Sequence, residues 1–367
     1  MRFRIKPLSE QVIVITGASS GIGLATARMA ARRGAAVVLA ARNRDAIEQA
    51  AREIRHHGGS ALAVRCDVAE EDQVRDVAEA ARNAFGGFDT WVNNAGVSIF
   101  GKIMDVPVDE MRKLFETNFW GVVNGSMVAV DHLGRRGGVL INMGSVLSER
   151  AVPIQGVYSA SKFAVRAFTD ALRMELEHDR LPVAVTLVKP SSIDTPFREH
   201  ATNHADGIPN LPPPVYAPET VARAVLHAAE HPRRDITVGF GGKMIDWMGA
   251  AFPRMTDRLM ERRAVWDQQI NGNFETAERP DGLWEHGEGL RERGDAPRMV
   301  MEHSVFTQAR LHPMMTGLLA VGAGAAAAFA LRRPDRGADR IEEDRSRDVD
   351  TSWDKRRAAV GRTAYAP

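Results

Sequence analysis

The sequence predicts a doubly wound α/β domain, with a parallel sheet covered by helices on both faces. Between about residues 11 and 242, seven short apolar runs alternate with longer stretches of helical period. Continuous apolar runs are typical of strands buried on both faces, and alternation with helices indicates crossover connections. A glycine-rich turn after the first run stands where such folds bind phosphates.

The elements follow one another along the chain at regular intervals. The predicted strands are Val12–Ile15, Val37–Ala40, Ala61–Val64, Trp91–Val92, Val139–Met143, Val183–Val188 and Ile236–Val238. Patterns rich in Ala, Arg and Glu between them predict helices, among them Ala25–Arg33, Arg44–His57 and Glu71–Phe85.

Composition excludes several classes of protein. The 367 residues are 44% hydrophobic and 26% charged, which argues against a wholly disordered, collagen-like or polytopic membrane protein. The net charge of +1 offers no positive field for nucleic acid, so no nucleic-acid partner is expected. Cys66 is the single cysteine, and no spacing suits a metal, so we expect neither an internal disulfide nor a metal site. No signal peptide is predicted, and a cytoplasmic location is expected.

The first predicted strand leads directly into Thr16–Gly23, which reads TGASSGIG, and a helix from Leu24 to Arg33 follows. Glycine allows a tight turn and lets a pyrophosphate approach backbone N–H groups at a helix N-terminus, where the dipole favours anions. Ser19 and Ser20 add hydroxyl donors. A glycine pattern alone is weak evidence, but its place in the first strand-to-helix turn predicts a dinucleotide site.

The end of the second predicted strand indicates which dinucleotide binds. In NAD-binding folds an acidic residue near this point accepts a hydrogen bond from the ribose 2′-hydroxyl. Ala41 cannot accept one, and Arg42 follows it. A guanidinium would pair with a 2′-phosphate through charge-assisted hydrogen bonds. Arg42 alone would also fit a solvated surface position, but the missing carboxylate favours NADP(H) over NAD(H).

A proton-transfer group is predicted from Tyr158 and Lys162, which lie one helical turn apart. A free tyrosine has a pKa near 10 and is a poor base at neutral pH. An adjacent ammonium, with the positive charge of an oxidised nicotinamide, would lower that pKa. Ser145 follows the strand Val139–Met143 at the ligand-binding end of the sheet, so its hydroxyl could hold a substrate oxygen. Asn118 could contribute through a carbonyl or a bound water.

In the order phosphate turn, Asn93–Gly96, Asn118, Ser145, Tyr158 and Lys162, residues 9–242 resemble the short-chain dehydrogenase/reductase family. The resemblance implies a Rossmann-type fold and a catalytic tetrad of Asn118, Ser145, Tyr158 and Lys162. In the family, tyrosine is the general acid in reduction and serine positions the carbonyl. Lysine binds the nicotinamide ribose and lowers the tyrosine pKa, and asparagine holds a water in the proton relay.

The resemblance also implies a set of residues that bind the cofactor. Asp67 matches the family residue that contacts adenine, and Asn93–Gly96 match the element that supports the sheet and the adenine ribose. The expected cofactor-binding residues are Gly17, Ser19, Ser20, Gly21, Ile22, Gly23, Arg42, Asp67, Val68, Asn94, Ala95, Gly96, Tyr158, Lys162, Pro190, Ile193 and Thr195.

One departure from the family falls beside the expected nicotinamide site. The family usually has Pro-Gly after the sixth strand, whereas this chain has Pro190 followed by Ser191. The backbone there is therefore expected to sit differently. The variable segment that follows is the family's substrate lid. Its histidines, His200 and His204, lack a supporting carboxylate pattern and are expected to be solvated rather than ligands.

The resemblance ends near residue 242, which predicts a catalytic domain over 1–242 and a helical and loop extension over 243–310. Lys243–Arg263 carries an amphipathic stripe interrupted by Pro253. It is expected to pack on the core or a partner subunit, with a substrate lid or a membrane-surface helix as alternatives. Residues 271–298 lack any period and are predicted to be a loop or linker.

An apolar helix is predicted over 311–331, with a charged, disordered tail over 332–367. Met314–Leu331 has no charge, but ten of its eighteen residues are Gly or Ala. A crossing from the cytoplasm would place the arginines after Leu331 outside, against the positive-inside tendency. A surface helix, an embedded segment that does not cross, and a crossing against the rule therefore all stay open, with any membrane association on the cytoplasmic side.

The resulting functional hypothesis is an NADP(H)-dependent oxidoreductase acting on a small-molecule carbonyl or alcohol with a hydrophobic character. Tyr158 would be its general acid/base. A non-catalytic NADPH-binding scaffold or redox sensor is the first alternative, and a membrane-anchored interaction protein is the second. Because family members commonly pair through the helices around Phe115 and Tyr158, the resemblance implies a homodimer or homotetramer.

Overall fold

The computed structural model describes residues 4–205, 208–261, 269–270, 281–287, 289–295, 299–312, 314, 316–317 and 327–328. Contacts divide the chain into a compact unit Met1–Leu311 and a second unit His312–Pro367. The domain boundary expected near residue 242 stays a prediction.

A seven-stranded parallel sheet forms the centre of the first unit. Its strands are β1 (Val12–Thr16), β2 (Ala36–Ala41), β3 (Ser60–Arg65), β4 (Thr90–Asn93), β6 (Gly138–Met143), β7 (Val183–Pro190) and β11 (Asp235–Val238). They lie in the order β3-β2-β1-β4-β6-β7-β11, which reverses between β1 and β4 and makes that point the ligand crevice of a doubly wound sheet. The predicted fold class is confirmed, and each predicted strand lies within an observed one.

Ten helices are described, most of them between strands of the sheet. They are α1 (Gly21–Arg32), α2 (Arg44–His56), α3 (Glu71–Phe85), α4 (Val108–Phe115), α5 (Gly121–Arg136), α6 (Gly156–His178), α7 (Pro218–Glu230), α8 (Phe240–Ala251), α9 (Pro253–Leu259) and α10 (Val305–Leu311). The first begins at Gly21 rather than near Leu24 because its opening turn is Gly-Ile-Gly, which has too little apolar period to be recognised.

Two apolar cores hold the helices against opposite faces of the sheet. Alternate residues of β1 divide between them: Ile13 and Ile15 enter one core and Val14 the other, all fully buried. This alternation of side chains along a strand explains why the runs are apolar throughout. Polar residues therefore follow the carboxyl ends of the strands, where the chain passes from strand to helix.

Short strand pairs and short helices complete the first unit around the mouth of the crevice. The pairs join β5 (Ile99–Phe100) to β8 (Thr202–Asn203), β9 (Ile208–Pro209) to β12 (Gln269–Ile270), and β10 (Val215–Tyr216) to β13 (Val300–Met301). The predicted interruption of the amphipathic stripe is present, because α8 ends at Ala251 and α9 begins at Pro253.

Among the residues that the structure describes, no helix has the length and apolar character that crossing a membrane requires. Most of the apolar segment 314–331, and all of the charged tail 332–367, lie outside the described residues.

Candidate active site

One cavity of about 560 Å³ lies at the carboxyl ends of the central strands. Every predicted site residue lines it except Gly23 and Asn118, which lie directly behind its wall. A volume of this size is usual for cofactor and small-molecule sites. The turns after β1, β2, β3, β4, β6 and β7 therefore converge on one crevice, as the sequence predicts.

The glycine-rich turn is held against the end of β4 by side-chain hydrogen bonds. Asn94 donates from Nδ2 to the carbonyls of Thr16 (2.9 Å) and Gly17 (3.2 Å). The Thr16 hydroxyl accepts from the N–H groups of Asn94 (3.0 Å) and Ala95 (3.1 Å). Gly17 and Gly21 have positive φ angles of 64° and 54°, which favour glycine. These hydrogen bonds within the protein fix the shape of the turn.

Ser145, Tyr158 and Lys162 come together at the other end of the cavity. Tyr158 and Lys162 lie on the first turns of α6, with the Lys162 ammonium 5.7 Å from the centre of the tyrosine ring. The Lys162 ammonium donates to the Met143 carbonyl at 2.9 Å, and Ser145 hydrogen-bonds the Tyr158 side chain. The predicted proton-transfer group is therefore assembled on adjacent elements.

Burial sets the ionisation of both titratable groups. It raises the pKa of Tyr158 to about 12, with the hydrogen bond from Ser145 acting in the opposite direction. It lowers the pKa of Lys162 to about 8. In the protein alone, loss of hydration at Tyr158 outweighs the hydrogen bond from Ser145; the lowering expected with a bound oxidised nicotinamide stays a prediction. At pH 7 the phenol is protonated and the amine is mostly cationic.

Asn118 lies in a π-helical turn, Glu116–Trp120, between α4 and α5. Its side chain is fully buried and spans the backbone of Val97, accepting from the N–H at 2.8 Å and donating to the carbonyl at 2.9 Å. It also donates to the Ser161 hydroxyl at 3.1 Å. Insertions of this type often occur at functional sites. Here the side chain joins the loop after β4 to α6.

Arg42 lies partly buried at the end of β2 and lines the cavity. Its guanidinium donates to the carbonyls of Gly282 (2.6 Å) and Leu283 (3.4 Å). Arginine has five N–H donors, so these contacts leave others for a ligand. The next residue, Asn43, caps α2 by accepting from the Ala46 N–H at 3.0 Å.

The apolar part of the cavity is supplied by α8, α9 and the loops beside them. Its lining side chains include Phe100, Val146, Leu147, Val152, Phe197, Leu211, Met244, Met248, Leu259 and Met260. The amphipathic stripe thus contributes a cavity wall, which favours the lid alternative over simple core packing.

Of the two lid histidines, His200 lines the cavity and His204 lies 2.6 Å from the Glu110 carboxylate, so neither is merely solvated. Among the described residues no group of His, Cys, Asp or Glu side chains is arranged to hold a metal.

Ser191 places a hydroxyl where the family has no side chain. Its Oγ is buried and has no hydrogen-bond partner among the described residues. The neighbouring Gly239 has a φ of 98°, and a Cβ there would overlap the serine hydroxyl. The serine is thus accommodated by a glycine opposite, and its hydroxyl carries the cost of a buried, unpaired polar group.

We expect Ser191→Ala to raise the unfolding free energy by about 1 kcal/mol, because the unpaired hydroxyl is removed while the Cβ packing is kept. Thermal unfolding of the two proteins should show a melting temperature about 2 °C higher for the variant. Ser191→Gly is the control: it should gain less, since glycine adds backbone entropy to the unfolded chain. A lower melting temperature for Ser191→Ala would contradict the assignment.

The sequence analysis missed the part of the site that lies beyond residue 280. Gly282, His286 and Gly287 line the cavity beside Arg42 and the phosphate turn. They belong to a stretch that is predicted as a loop or linker because it has no period. The only signal was its high glycine content, which allows close approach but does not identify what is approached.

The fold and the site together define a doubly wound α/β protein with a glycine-rich turn and a serine, a tyrosine and a lysine grouped in one crevice at the carboxyl edge of its sheet. A scan against protein families matches residues 11–206 to the short-chain dehydrogenase model. The chain belongs to this short-chain dehydrogenase family of oxidoreductases, as its motifs indicate.

Relatives of known sequence and structure agree with this membership. An uncharacterized oxidoreductase of Bacillus subtilis, YxnA, is 46% identical over 330 residues, which cover 88% of this chain and 91% of that protein. The putative oxidoreductase SadH of Mycobacterium tuberculosis is 33% identical over 70% of this chain and 97% of its own length. Coverage of 88% exceeds what residues 1–242 could supply, so the similarity to YxnA continues into the C-terminal extension.

Two solved structures resemble the fold. A short-chain dehydrogenase/reductase from Burkholderia phymatum in complex with NAD has a TM-score of 0.62, 26% identity, and coverage of 69% of this chain and 96% of that chain. An alcohol dehydrogenase from Thermococcus sibiricus complexed with 5-hydroxy-NADP has a TM-score of 0.55, 29% identity, and coverage of 62% of this chain and 95% of that chain.

Proposed function

We propose that the protein is an NADP(H)-dependent oxidoreductase that interconverts a hydrophobic carbonyl compound and its alcohol. The observation that carries this proposal is the grouping of Ser145, Tyr158 and Lys162 at one end of a cavity whose other end is a phosphate-binding turn. A protein that only binds a dinucleotide needs neither the serine nor the tyrosine, so the grouping favours an enzyme over a scaffold.

The residues present fit a dinucleotide. The turn Gly17–Gly23 offers backbone N–H groups at the start of α1, and Asp67, Asn94, Ala95 and Gly96 line the middle of the cavity. Arg42 supports a 2′-phosphate, and Pro190, Ile193 and Thr195 also line the cavity, with the Thr195 side chain beside Gly21 of the turn. When bound, the nicotinamide would supply or accept a hydride. The structural neighbours named above include both NAD and NADP complexes, so the preference rests on Arg42.

Each catalytic side chain then has a distinct task. Ser145 donates a hydrogen bond that orients the carbonyl oxygen, and Tyr158 delivers its phenolic proton to that oxygen during reduction. Because burial raises the Tyr158 pKa to about 12, the phenol is in the acid form that donation requires. Lys162 places a cation beside the ring, which stabilises the phenolate that remains. Asn118 fixes the loop after β4 against α6.

The substrate is expected to be apolar and of substantial size. Met244 and Met248 of α8 and Leu259 of α9 face the cavity together with Phe197 of the lid segment. Flexible methionine side chains suit a site that adapts to a large apolar molecule. This wall supports a lipid- or steroid-like ketone over a small hydroxy acid.

A homodimer or homotetramer fits the outer faces of α5 and α6. Met127 on α5, and Phe163 and Met174 on α6, are between 40% and 59% exposed. Large exposed apolar side chains on a helix are candidates for burial in an interface. Their presence supports the pairing that the family resemblance implies.

Oxidation of NADPH by the purified protein against a panel of ketones and aldehydes, with NADH in parallel, tests the proposed function. Apolar carbonyl compounds should be reduced with NADPH and much more slowly with NADH. Binding of NADPH without turnover on a broad panel would favour the scaffold alternative. Preference for NADH would overturn the role given to Arg42.

Arg42→Ala should weaken NADPH binding by about 10- to 100-fold, the value of a charge-assisted contact to phosphate. The affinity for NADH should change far less, so the ratio of the two dissociation constants is the diagnostic quantity. Fluorescence titration with each cofactor measures it. Arg44→Ala is the matched control, since Arg44 is exposed and pairs with Glu48 at 2.6 Å. Equal losses for both cofactors would show that Arg42 only supports the local fold.

A further inference from the structure

A segment of the C-terminal extension lies across the cofactor end of the cavity. We call residues 281–287 and 289–295 the strap. It contacts the phosphate turn through two backbone hydrogen bonds: Leu290 donates to the Ser19 carbonyl at 2.8 Å, and Gly21 donates to the Arg291 carbonyl at 2.8 Å. The strap therefore binds the very turn that is expected to hold the pyrophosphate.

The strap also contacts the opposite rim of the cavity, after β7. Gly282 donates to the His200 carbonyl at 3.0 Å, and Asp281 accepts from the Thr202 hydroxyl at 2.6 Å. Arg291 pairs with Glu199 at 3.0 Å. Because its contacts lie on both rims, the strap bridges the cavity rather than extending one side of it.

Glycines let the strap approach these rims closely. A Cβ on Gly289 would overlap the Ala46 side chain, and one on Gly294 would lie 2.6 Å from the Thr195 carbonyl. Leu283 anchors the strap in the apolar cluster that contains Val97 and Tyr158, and it is fully buried. Leu290 adopts a φ of 69°, a conformation that an L-residue keeps only when its surroundings impose it.

The inner face of the strap belongs to the adenosine end of the cavity. His286 and Gly287 line it beside Arg42, whose guanidinium donates to the strap carbonyls of Gly282 and Leu283. Asn43 donates to the Gly287 carbonyl at 3.2 Å. Arg42, which is expected to bind the 2′-phosphate, and its neighbour Asn43 are thus both hydrogen-bonded to the strap.

We infer that the strap is part of the dinucleotide site: it closes over the adenosine half of NADP(H) and has to open for the cofactor to exchange. This inference rests on the proposed function, because it requires a bound adenine dinucleotide. His286 and the backbone of Gly287 would then form the part of the cofactor wall beside Arg42 and the phosphate turn. A cofactor held in this way is released slowly, since strap contacts on two rims must break first.

The test compares Gly289→Ala with Gly317→Ala. The first places a methyl group against Ala46 and lifts the strap, whereas a Cβ at Gly317 meets no atom of the described residues within 4 Å. NADPH release is followed in a stopped-flow instrument as the loss of its protein-enhanced fluorescence after mixing with excess NADP⁺. We expect release to be about tenfold faster in Gly289→Ala, through loss of strap hydrogen bonds, and unchanged in Gly317→Ala. An unchanged release rate in Gly289→Ala, or tighter NADPH binding by that variant, would overturn the inference that the strap closes over the cofactor.

Hydrogen exchange on the wild-type protein gives a second test that does not depend on a variant folding. Saturating NADPH should slow amide exchange in peptides from the strap, and equal exchange with and without NADPH would overturn the inference. The proposed function fails separately: a wild-type protein that binds neither NADPH nor NADH removes both conclusions. If the wild type binds NADPH but amide exchange in the strap does not change, only the inference about the strap is overturned.

Discussion

Tyr158→Phe is expected to lower the turnover of a carbonyl substrate by about 10³-fold, the usual contribution of a positioned general acid. The phenolic oxygen is the only atom removed, so the packing of the buried ring against Val97 and Phe197 is kept. The ring also lines the cavity. NADPH binding should therefore stay close to that of the wild type.

The decisive measurement is kcat/KM from NADPH oxidation beside the dissociation constant for NADPH from fluorescence titration. Tyr216→Phe is the matched control, because Tyr216 is also buried and, among the described residues, its hydroxyl accepts one long hydrogen bond, from the Phe240 N–H at 3.4 Å. That variant should keep its activity. If Tyr158→Phe turned over carbonyls at the wild-type rate, the proton-transfer role would have to be given to another group.

The sheet and the position of the site could be predicted because their signals are local. Val12–Thr16 and Ala36–Ala41 are buried on both faces, and such strands read as nearly continuous apolar runs. Tyr158 and Lys162 are one helical turn apart, so their proximity depends on a single helix. Asn94 and Ser145 follow predicted strands and thus reach the same edge of the sheet.

The strap and the tyrosine pKa could not be predicted, for a shared physical reason. The strap is held by backbone hydrogen bonds and glycine contacts between residues about 270 positions apart, such as Leu290 with Ser19, and these leave no periodic pattern. The Tyr158 pKa depends on how completely the ring is buried, and burial is a property of the whole packed domain. The contacts of Asn118 could not be predicted either, because its hydrogen-bond partners, Val97 and Ser161, belong to two other segments of the chain.

A second large effect, on both stability and NADPH binding, is expected from substitution of Gly23. This residue lies behind the phosphate turn and does not line the cavity. A Cβ there would overlap the Gly17 carbonyl oxygen and lie 2.6 Å from the Asn94 side-chain nitrogen. That nitrogen donates to the carbonyls of Thr16 and Gly17, so the added carbon meets the hydrogen bonds that hold the turn. The Gly17 oxygen belongs to the backbone and the Asn94 amide is held by those two hydrogen bonds, so neither can move aside without disturbing the turn.

Gly23→Ala should therefore lower the free energy of unfolding by about 2–3 kcal/mol, as overpacking of a rigid site does. It should also weaken NADPH binding by about 100-fold, since the backbone donors of the turn would no longer converge on one anion. Chemical denaturation and fluorescence titration measure the two effects. Gly134→Ala on α5, where the nearest atom to a new Cβ lies at 3.9 Å, is the control and should change neither quantity appreciably. Wild-type affinity in Gly23→Ala would mean that the pyrophosphate is not held by this turn, and the dinucleotide site would then have to be placed elsewhere in the cavity.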